Sequence, residues 1–219
     1  MRETRNHGLL ALGGIALAAL LAVIGHLEVN DDLNPWSLTV SDFAVSDRGG
    51  VIDVAMAVLA AATAVTLLAL RRTAALTPAG PGVGDRAGRL GELLLWAWAG
   101  GLVTAAIVPT DEPGLPMTTA GYLHRYASVV AFLALPLGGW LLARRLAIGS
   151  ADRWLRGFAV ASLALAAAMV WSAYPGHRVL IGLAERLLIL AEVGLLTVVA
   201  TTLTRRAPAV GRDPVPTRR

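Results

Sequence analysis

Long apolar segments alternate with short polar ones along the chain. Six of these segments are long enough to cross the hydrocarbon core of a membrane, which takes about 20 residues. They cover residues 8–27, 50–70, 91–108, 119–142, 154–174 and 179–203. Each should be a helix, because in lipid only a helix satisfies its backbone hydrogen bonds within one segment. The pattern predicts an all-α, polytopic membrane protein, built as a bundle of six transmembrane helices.

The composition agrees with this pattern. Of the 219 residues, 56% are hydrophobic and only 16% are charged, and the mean hydropathy is +0.63. A soluble domain of this length could not bury so much apolar surface. The first segment is too long for a signal peptide and no small-residue cleavage site follows it, which predicts an uncleaved span. We expect one transmembrane domain over residues 1–206 and a flexible cytoplasmic tail over residues 207–219.

Arginine is placed asymmetrically around the predicted spans. The chain has no lysine, and 15 of its 19 arginines lie on the side of the two termini. Positively charged flanks stay in the cytoplasm, so both termini should be cytoplasmic, and the loops after the first, third and fifth spans should face outward. The pI near 10.6 does not indicate nucleic-acid binding, because the arginines flank spans instead of forming one patch. With its heavy use of alanine, glycine and arginine, the chain is typical of a bacterial plasma-membrane protein.

Uncommon polar side chains collect at the outward ends of the spans. A charged group inside a span costs several kcal/mol unless it is paired or hydrated, so it should face the bundle interior or a cavity. We therefore expect three outer hairpins to build one binding cluster under the outer leaflet. Its predicted members are Ser41, Asp42, Asp47, Asp111, His124, Arg125, His177, Glu185 and Arg186.

The first outer loop holds two Ser-Asp pairs with different interpretations. Ser46 and Asp47 directly precede the second span, where they would cap the free N–H groups of that helix. Ser41 and Asp42 lie too far upstream to cap it. We expect this pair to lean into the cluster, on a loop that folds back irregularly.

Other members leave alternatives open. Asp111 could cap a turn, but we favour an ion pair with Arg125 or Arg186. His124 could be a general base or a metal ligand, or it could be hydrogen-bonded to a neighbouring helix. His177 lies in a short Tyr-Pro-Gly-His turn, which predicts a surface position.

The last span carries three ionisable residues. Glu185 and Arg186 are adjacent and point about 100° apart on the helix, so each should find its partner on another element. Glu192 follows Glu185 by seven residues on nearly the same face. That spacing permits a proton path, or Glu192 is a lone carboxyl buried in its neutral form.

Several short motifs resemble one known family. They are a Ser-Asp pair before the second span, which is either Ser41-Asp42 or Ser46-Asp47, then Pro109-Thr110-Asp111, His124, and the run Gly182-Leu183-Ala184-Glu185-Arg186. With these motifs the chain resembles the bacterial and archaeal six-span membrane proteins catalogued as domain of unknown function 998. A more distant resemblance, in the Ser-Asp pair, is to the eukaryotic Frag1/DRAM/Sfk1 membrane proteins. The family implies a fold and a membrane location but no activity.

Two classes of function fit the cluster best. The first, which we favour, is non-enzymatic: the cluster binds an anionic lipid headgroup or another membrane protein, or it holds the helices together through buried ion pairs. The second is a membrane-embedded lipid hydrolase or transferase, with or without a metal. In it, Asp111 and His124, helped by Asp42 and His177, would act as acid and base or hold a metal-bound water.

A third class ranks last. A proton-coupled carrier would use Glu185 and Glu192, but the six spans lack the broken helices and duplicated halves of well-known carriers. The chain has no cysteine, which excludes a thiolate metal site, and two outer histidines are few for zinc. We expect no cofactor, and we expect membrane lipids as the main partners.

Overall fold

The observed helices match the predicted spans, with one short addition. The computed structural model of the chain describes residues 2–27, 33–45, 50–75, 83–146 and 150–205. These residues form seven helices and no strand. The helices are α1 (Arg2–Leu27), α2 (Val40–Ala44), α3 (Gly50–Ala75), α4 (Val83–Ile107), α5 (Thr119–Leu146), α6 (Ala151–Ala173) and α7 (Ile181–Arg205). All except α2 are long and apolar enough to cross a membrane, which confirms the predicted six-span, all-α fold.

Several long helices extend beyond the predicted spans. α1 begins at Arg2, whereas the predicted span begins at residue 8. α4 begins at Val83, whereas the predicted span begins at residue 91. The added turns contain arginine, which favours helix and needs no burial once the helix has left the hydrocarbon core. The predicted tail, residues 207–219, lies outside the described residues.

Successive long helices run in opposite directions, so the bundle has two distinct ends. At one end, Glu3 of α1 pairs with Arg72 of α3 at 2.5 Å, and Arg71 lies 3.3 Å from Glu92 of α4. We call this the terminal end, because α1 begins there and α7 ends there. The opposite end carries α2 and the loops 108–118 and 174–180, and we call it the α2 end.

The six long helices form a closed ring in chain order. Each packs on the next, from α1 to α3, α4, α5, α6 and α7, and α7 returns to α1. α7 also contacts α3 and α5, so it lies toward the interior. Small residues allow close approach: a Cβ added to Gly101 would lie 2.7 Å from the Ala127 carbonyl oxygen.

Apolar side chains fill the ring and also cover its outside. Trp98, Leu135 and Leu195 are fully buried in the core, whereas Leu20 and Leu190 are exposed. A helix that is apolar on all sides is typical of a membrane span, since lipid and core are both apolar. Charged groups lie mainly at the two ends, whereas Glu192 is buried within the bundle.

Candidate functional site

The short helix α2 begins at a capping box in the connection between α1 and α3. Thr39 Oγ1 accepts a hydrogen bond from the Asp42 amide (3.3 Å), and the Asp42 carboxylate accepts one from the Thr39 amide (2.7 Å). Ser41 Oγ lies 3.0 Å from Thr39 Oγ1. These bonds satisfy N–H groups that a helix start leaves open. Ser41 and Asp42 thus belong to the start of a short helix, where the sequence predicts an irregular loop.

Glu185 of α7 holds the first residue of α2. Its Oε2 accepts a hydrogen bond from the Val40 amide at 2.5 Å. Val40 occupies the first helical position, whose N–H has no partner within a helix. Glu185 is only 6% exposed. This one bond therefore gives the buried carboxyl group a donor and gives the Val40 amide an acceptor that α2 itself cannot supply.

Arg186 binds the backbone of the same connection. Its Nη1 donates to the carbonyl oxygens of Pro35 (2.8 Å), Leu38 (2.9 Å) and Gly182 (3.0 Å). Its Cζ lies 4.9 Å from the centre of the Phe43 ring, a cation–π contact. Its Nη2 is buried and has no hydrogen-bond partner among the described residues. The guanidinium therefore binds the protein through Nη1 and retains a free donor group on Nη2.

Arg178 reaches the connection from the turn between α6 and α7. Its Nη2 donates to Asp42 Oδ2 at 3.0 Å, and its side chain remains 46% exposed. The turn has left-handed backbone at His177 (φ 51°), Arg178 (φ 63°) and Leu180 (φ 63°), which costs an L-residue about 1–2 kcal/mol. A hydrogen bond from the Arg178 amide to the Ser172 carbonyl (2.8 Å) helps to hold this conformation. The strained turn thus positions Arg178 beside Asp42.

Gly182 allows the two chain segments to touch. Its amide donates to the Trp36 carbonyl at 3.0 Å. A side chain at this position would collide with the carbonyl oxygens of Pro35 and Leu38, so only glycine fits. Together these contacts fasten the 35–42 segment to the 178–186 segment. We call them the α2–α7 clamp, formed by Asp42, Arg178, Gly182, Glu185 and Arg186 with the backbone of residues 35–40.

Two aromatic residues that the sequence did not single out also belong to this site. The His26 ring, near the end of α1, stacks on Phe43 with a centroid distance of 5.2 Å. His26 Nδ1 donates to the Ala22 carbonyl at 2.7 Å, and its Nε2 is buried without a partner among the described residues. A histidine at the end of an apolar run was the available signal. The stacking itself depends on where α2 lies, which the sequence does not indicate.

Asp111 organises the connection between α4 and α5. Its carboxylate accepts hydrogen bonds from the Thr118 amide (2.9 Å) and hydroxyl (2.8 Å), and Thr118 Oγ1 accepts one from the Gly121 amide (3.1 Å). Asp111 therefore orders the start of α5. These contacts agree with the alternative in which Asp111 caps a turn. No contact between described residues joins Asp111 to Arg125 or Arg186, so the predicted ion pair is not among them.

His124 lies at the same connection. It is buried, and its Nδ1 donates to the Val108 carbonyl, just after the end of α4, at 2.9 Å. This contact agrees with the alternative in which His124 is hydrogen-bonded to a neighbouring helix. Arg125, the next residue, is exposed.

The described residues place the predicted cluster in two groups. Ser41, Asp42, Glu185 and Arg186 come together at the clamp, with His177 exposed in the turn beside it. No hydrogen bond or ion pair between described residues joins Asp111 or His124 to the clamp. Within this part of the chain, no three His, Cys, Asp or Glu side chains form a metal-binding group. Ser46 and Asp47 lie outside the described residues.

Glu192 is deeper in the bundle. It is buried, and its Oε2 accepts a hydrogen bond from Trp98 Nε1 at 3.4 Å. Its Oε1 has no partner among the described residues. Leu188 lies between Glu185 and Glu192 along α7 and is fully buried, and no described hydrogen bond links the two carboxyl groups.

Comparison with known protein families shows which family the chain belongs to. A family model with the description "Protein of unknown function (DUF998)" matches residues 12–202. The chain belongs to the DUF998 family. Comparisons with curated proteins and with solved structures found no match. In this DUF998 protein, the run at residues 182–186 meets Ser41-Asp42, one of the two candidates for the Ser-Asp motif, at the α2–α7 clamp.

Proposed function

We propose that this DUF998 protein is a non-catalytic membrane protein that binds the phosphate of a lipid headgroup at its α2 end. The observation that carries this proposal is that the clamp orders two guanidinium groups at one end of the bundle, the first of them that of Arg186. Its Nη1 donates to three backbone carbonyl oxygens, whereas its Nη2 is buried with no partner among the described residues. The planar N–H fork of arginine suits phosphate oxygens. Arg178 adds a second guanidinium, which is half exposed beside Asp42.

Aromatic side chains near the clamp support a position at the membrane surface. Trp36, Trp171 and Tyr174 are all more than half exposed. Tryptophan and tyrosine favour the level of the lipid headgroups, because their rings are apolar and their N–H or O–H groups are polar. A surface at this level brings Arg178 and Arg186 to the depth of the lipid phosphates.

The clamp prepares the site before a lipid arrives. The three carbonyl contacts hold the Arg186 side chain in one orientation, and the Asp42 ion pair does the same for Arg178. A binding group that is already ordered loses less conformational entropy when its ligand binds. The clamp is therefore the framework of the site. The half-exposed guanidinium of Arg178 is the part that contacts the phosphate, and the buried guanidinium of Arg186 adds a second positive charge at the clamp.

We assign the α2 end to the outer leaflet of a bacterial plasma membrane, with both termini in the cytoplasm. The support is the concentration of arginine on the side of the termini. The absence of cysteine allows a direct test with single cysteines at Glu112 and Glu3, both exposed at opposite ends. Glu112→Cys should react with a membrane-impermeant maleimide in intact cells, and Glu3→Cys only after permeabilisation. The opposite labelling pattern would reverse the assigned topology.

Phosphate recognition is tested with two lipids that differ only in the phosphate group. Native mass spectrometry of the purified protein should show retention of phosphatidic acid and not of diacylglycerol. Arg178→Gln should lower phosphatidic acid affinity about tenfold or more, the value of a charge-assisted hydrogen bond. Arg186→Lys should also weaken binding, because lysine keeps the charge but lacks the planar fork that binds the three carbonyl oxygens and orders the clamp. Arg125→Gln is the matched control, an exposed arginine at the same end, and should bind as wild type.

Two results of this experiment count against phosphate recognition. One is equal retention of diacylglycerol and phosphatidic acid by the wild type. The other is an Arg178→Gln variant that unfolds at the wild-type temperature and retains phosphatidic acid at full affinity.

The other classes of function receive less support from the geometry. For a lipid hydrolase or transferase, Asp111 is bound to Thr118 and His124 to the Val108 carbonyl. For a carrier, Glu185 is bound to the Val40 amide. A partner membrane protein could use the same arginine surface, and it would then compete with phosphatidic acid.

A further inference from the structure

The exposed part of the α2–α7 clamp is an ion pair and not a single cation. Arg178 Nη2 donates to Asp42 Oδ2 at 3.0 Å, and the two side chains are 46% and 12% exposed. The other ionisable members of the clamp, Glu185 and Arg186, are hydrogen-bonded to backbone groups of the protein. A ligand that approaches the clamp from outside therefore meets one positive and one negative group side by side.

The Asp42 carboxylate can accept a further hydrogen bond. Its Oδ2 accepts one from the Thr39 amide (2.7 Å) and one from Arg178, whereas no hydrogen bond from a described residue reaches its Oδ1. An ionised carboxylate has about four lone-pair sites for donors. A cationic donor can therefore bind Asp42 without displacing Arg178.

The Arg178 guanidinium likewise keeps unused donors. It carries N–H groups on each of its nitrogens, and Nη2 is the one that binds Asp42. Its Nε and Nη1 make no hydrogen bond with the described residues. A phosphate oxygen can therefore bind at Nη1 while Asp42 remains on Nη2.

Exposed apolar side chains border the ion pair. Val179 and Leu180, the two residues that follow Arg178, are 60% and 50% exposed, as suits contact with lipid. Because Arg178 and Asp42 are in direct contact, their two charges lie at nearly the same depth in the bilayer. A lipid that pairs with both must therefore carry a negative and a positive group close together and at one level.

We infer, on the basis of the proposed phosphate site, that the clamp selects phosphatidylethanolamine. Its phosphate pairs with Arg178, and its ammonium group donates to Asp42 Oδ1 in a charge-assisted hydrogen bond. One oxygen and two carbons join the phosphorus to the nitrogen, so both charges of the headgroup reach adjacent partners at one depth. Phosphatidylcholine has the same charges but no N–H group, and phosphatidic acid has no cation for Asp42.

The test compares phospholipids that differ only in methylation of the nitrogen. Native mass spectrometry of the purified wild type should show phosphatidylethanolamine bound about threefold to tenfold more tightly than phosphatidylcholine with the same acyl chains, the value of one hydrogen bond. N,N-dimethylphosphatidylethanolamine keeps one N–H group, so it should also bind more tightly than phosphatidylcholine. Equal binding of the three lipids, or tighter binding of phosphatidylcholine, would overturn the inference.

Asp42→Asn separates the carboxylate from the rest of the clamp. Asparagine keeps a side-chain oxygen for the Thr39 amide but loses the charge that attracts an ammonium group, so the variant should bind phosphatidylethanolamine and phosphatidylcholine equally. The ratio of the two affinities is the readout, because a less ordered Arg178 would lower both alike. Glu112→Gln is the matched control, an exposed carboxylate at the same end, and should keep the preference. An Asp42→Asn variant that keeps it as well contradicts the inference.

Arg178→Gln distinguishes failure of this inference from failure of the phosphate site. It should weaken the binding of both lipids, since both contain the phosphate. If it does so while the wild type binds the two lipids equally, the phosphate site stands and the assignment of phosphatidylethanolamine is wrong. If it leaves both affinities unchanged, the phosphate site and the assignment are both wrong.

Discussion

The Glu185 carboxylate of α7 accepts a hydrogen bond from the Val40 amide, the first N–H of α2, at 2.5 Å. The two residues are 145 positions apart in the chain. The first amides of a helix need partners outside the helix, and a buried carboxyl group needs a donor. One contact meets both needs, and it joins the connection after the first span to the start of the last one.

Two substitutions of Glu185 should distinguish whether its acceptor oxygen or its negative charge stabilises the protein. Glu185→Gln keeps a side-chain oxygen for the Val40 amide, so we expect little loss of stability. Glu185→Ala leaves that amide without a partner and should lower the free energy of unfolding by about 1–3 kcal/mol. The measurement is unfolding of the purified protein in mild detergent titrated with dodecyl sulfate. Equal loss in both variants would show that the charge, and not the oxygen, stabilises the contact.

Gly182 should tolerate no side chain. In Gly182→Ala the new methyl group would meet the Pro35 and Leu38 carbonyl oxygens, and we expect a loss of about 2 kcal/mol or more, within the range for overpacking. Gly100→Ala is the control, because a Cβ there meets nothing within 4 Å and alanine favours helix by up to about 1 kcal/mol. The same unfolding measurement should move in opposite directions for the two variants. A Gly182→Ala variant as stable as Gly100→Ala is incompatible with the close approach at the clamp.

The Asp42–Arg178 ion pair should contribute little to stability. Arg178 is half exposed, so a double-mutant cycle with Asp42→Asn and Arg178→Gln should give a coupling energy of about 0.2–1 kcal/mol. High salt should reduce it further, since exposed charges are screened. A coupling energy of several kcal/mol would show that the pair is a main stabilising contact. No coupling energy, together with unchanged lipid binding, would show that Asp42 does not position Arg178.

The left-handed turn before α7 should prefer glycine. At His177, with φ 51°, the Gly variant should be more stable than the Ala variant by about 1 kcal/mol, because glycine adopts this backbone without a Cβ clash. The exposed helical position Ala164 should show the opposite order, with Ala164→Gly less stable than wild type. If alanine is preferred at both positions, the turn does not have the backbone described.

The fold could be predicted from the sequence because its signal is strong and local. An apolar run of about 20 residues is a helix in lipid whatever its neighbours are, so all six long helices were predicted. α2 was not, since five residues form no stable helix alone. Its capping box and its contacts with Glu185 and Arg186 hold it, and those contacts depend on how distant segments meet.

The candidate site could be predicted only in part for a related reason. Glu185 and Arg186 are costly groups near a span end, which indicates that each needs a partner on another element. Those partners are the amide of Val40 and the carbonyls of Pro35 and Leu38, and backbone groups leave no signature in a sequence. Charge alone predicts an arginine partner for Asp111, but its partner is a threonine seven residues later.

Hydrogen exchange of the Val40 amide tests the clamp most directly. No residue within α2 can protect this N–H, because it is the first of the helix. In protein labelled with ¹⁵N-valine and studied by NMR in detergent micelles, the Val40 amide should exchange slowly in the wild type and in Glu185→Gln. It should exchange at the rate of an open loop in Glu185→Ala. Rapid exchange of this amide in the wild type would contradict the clamp.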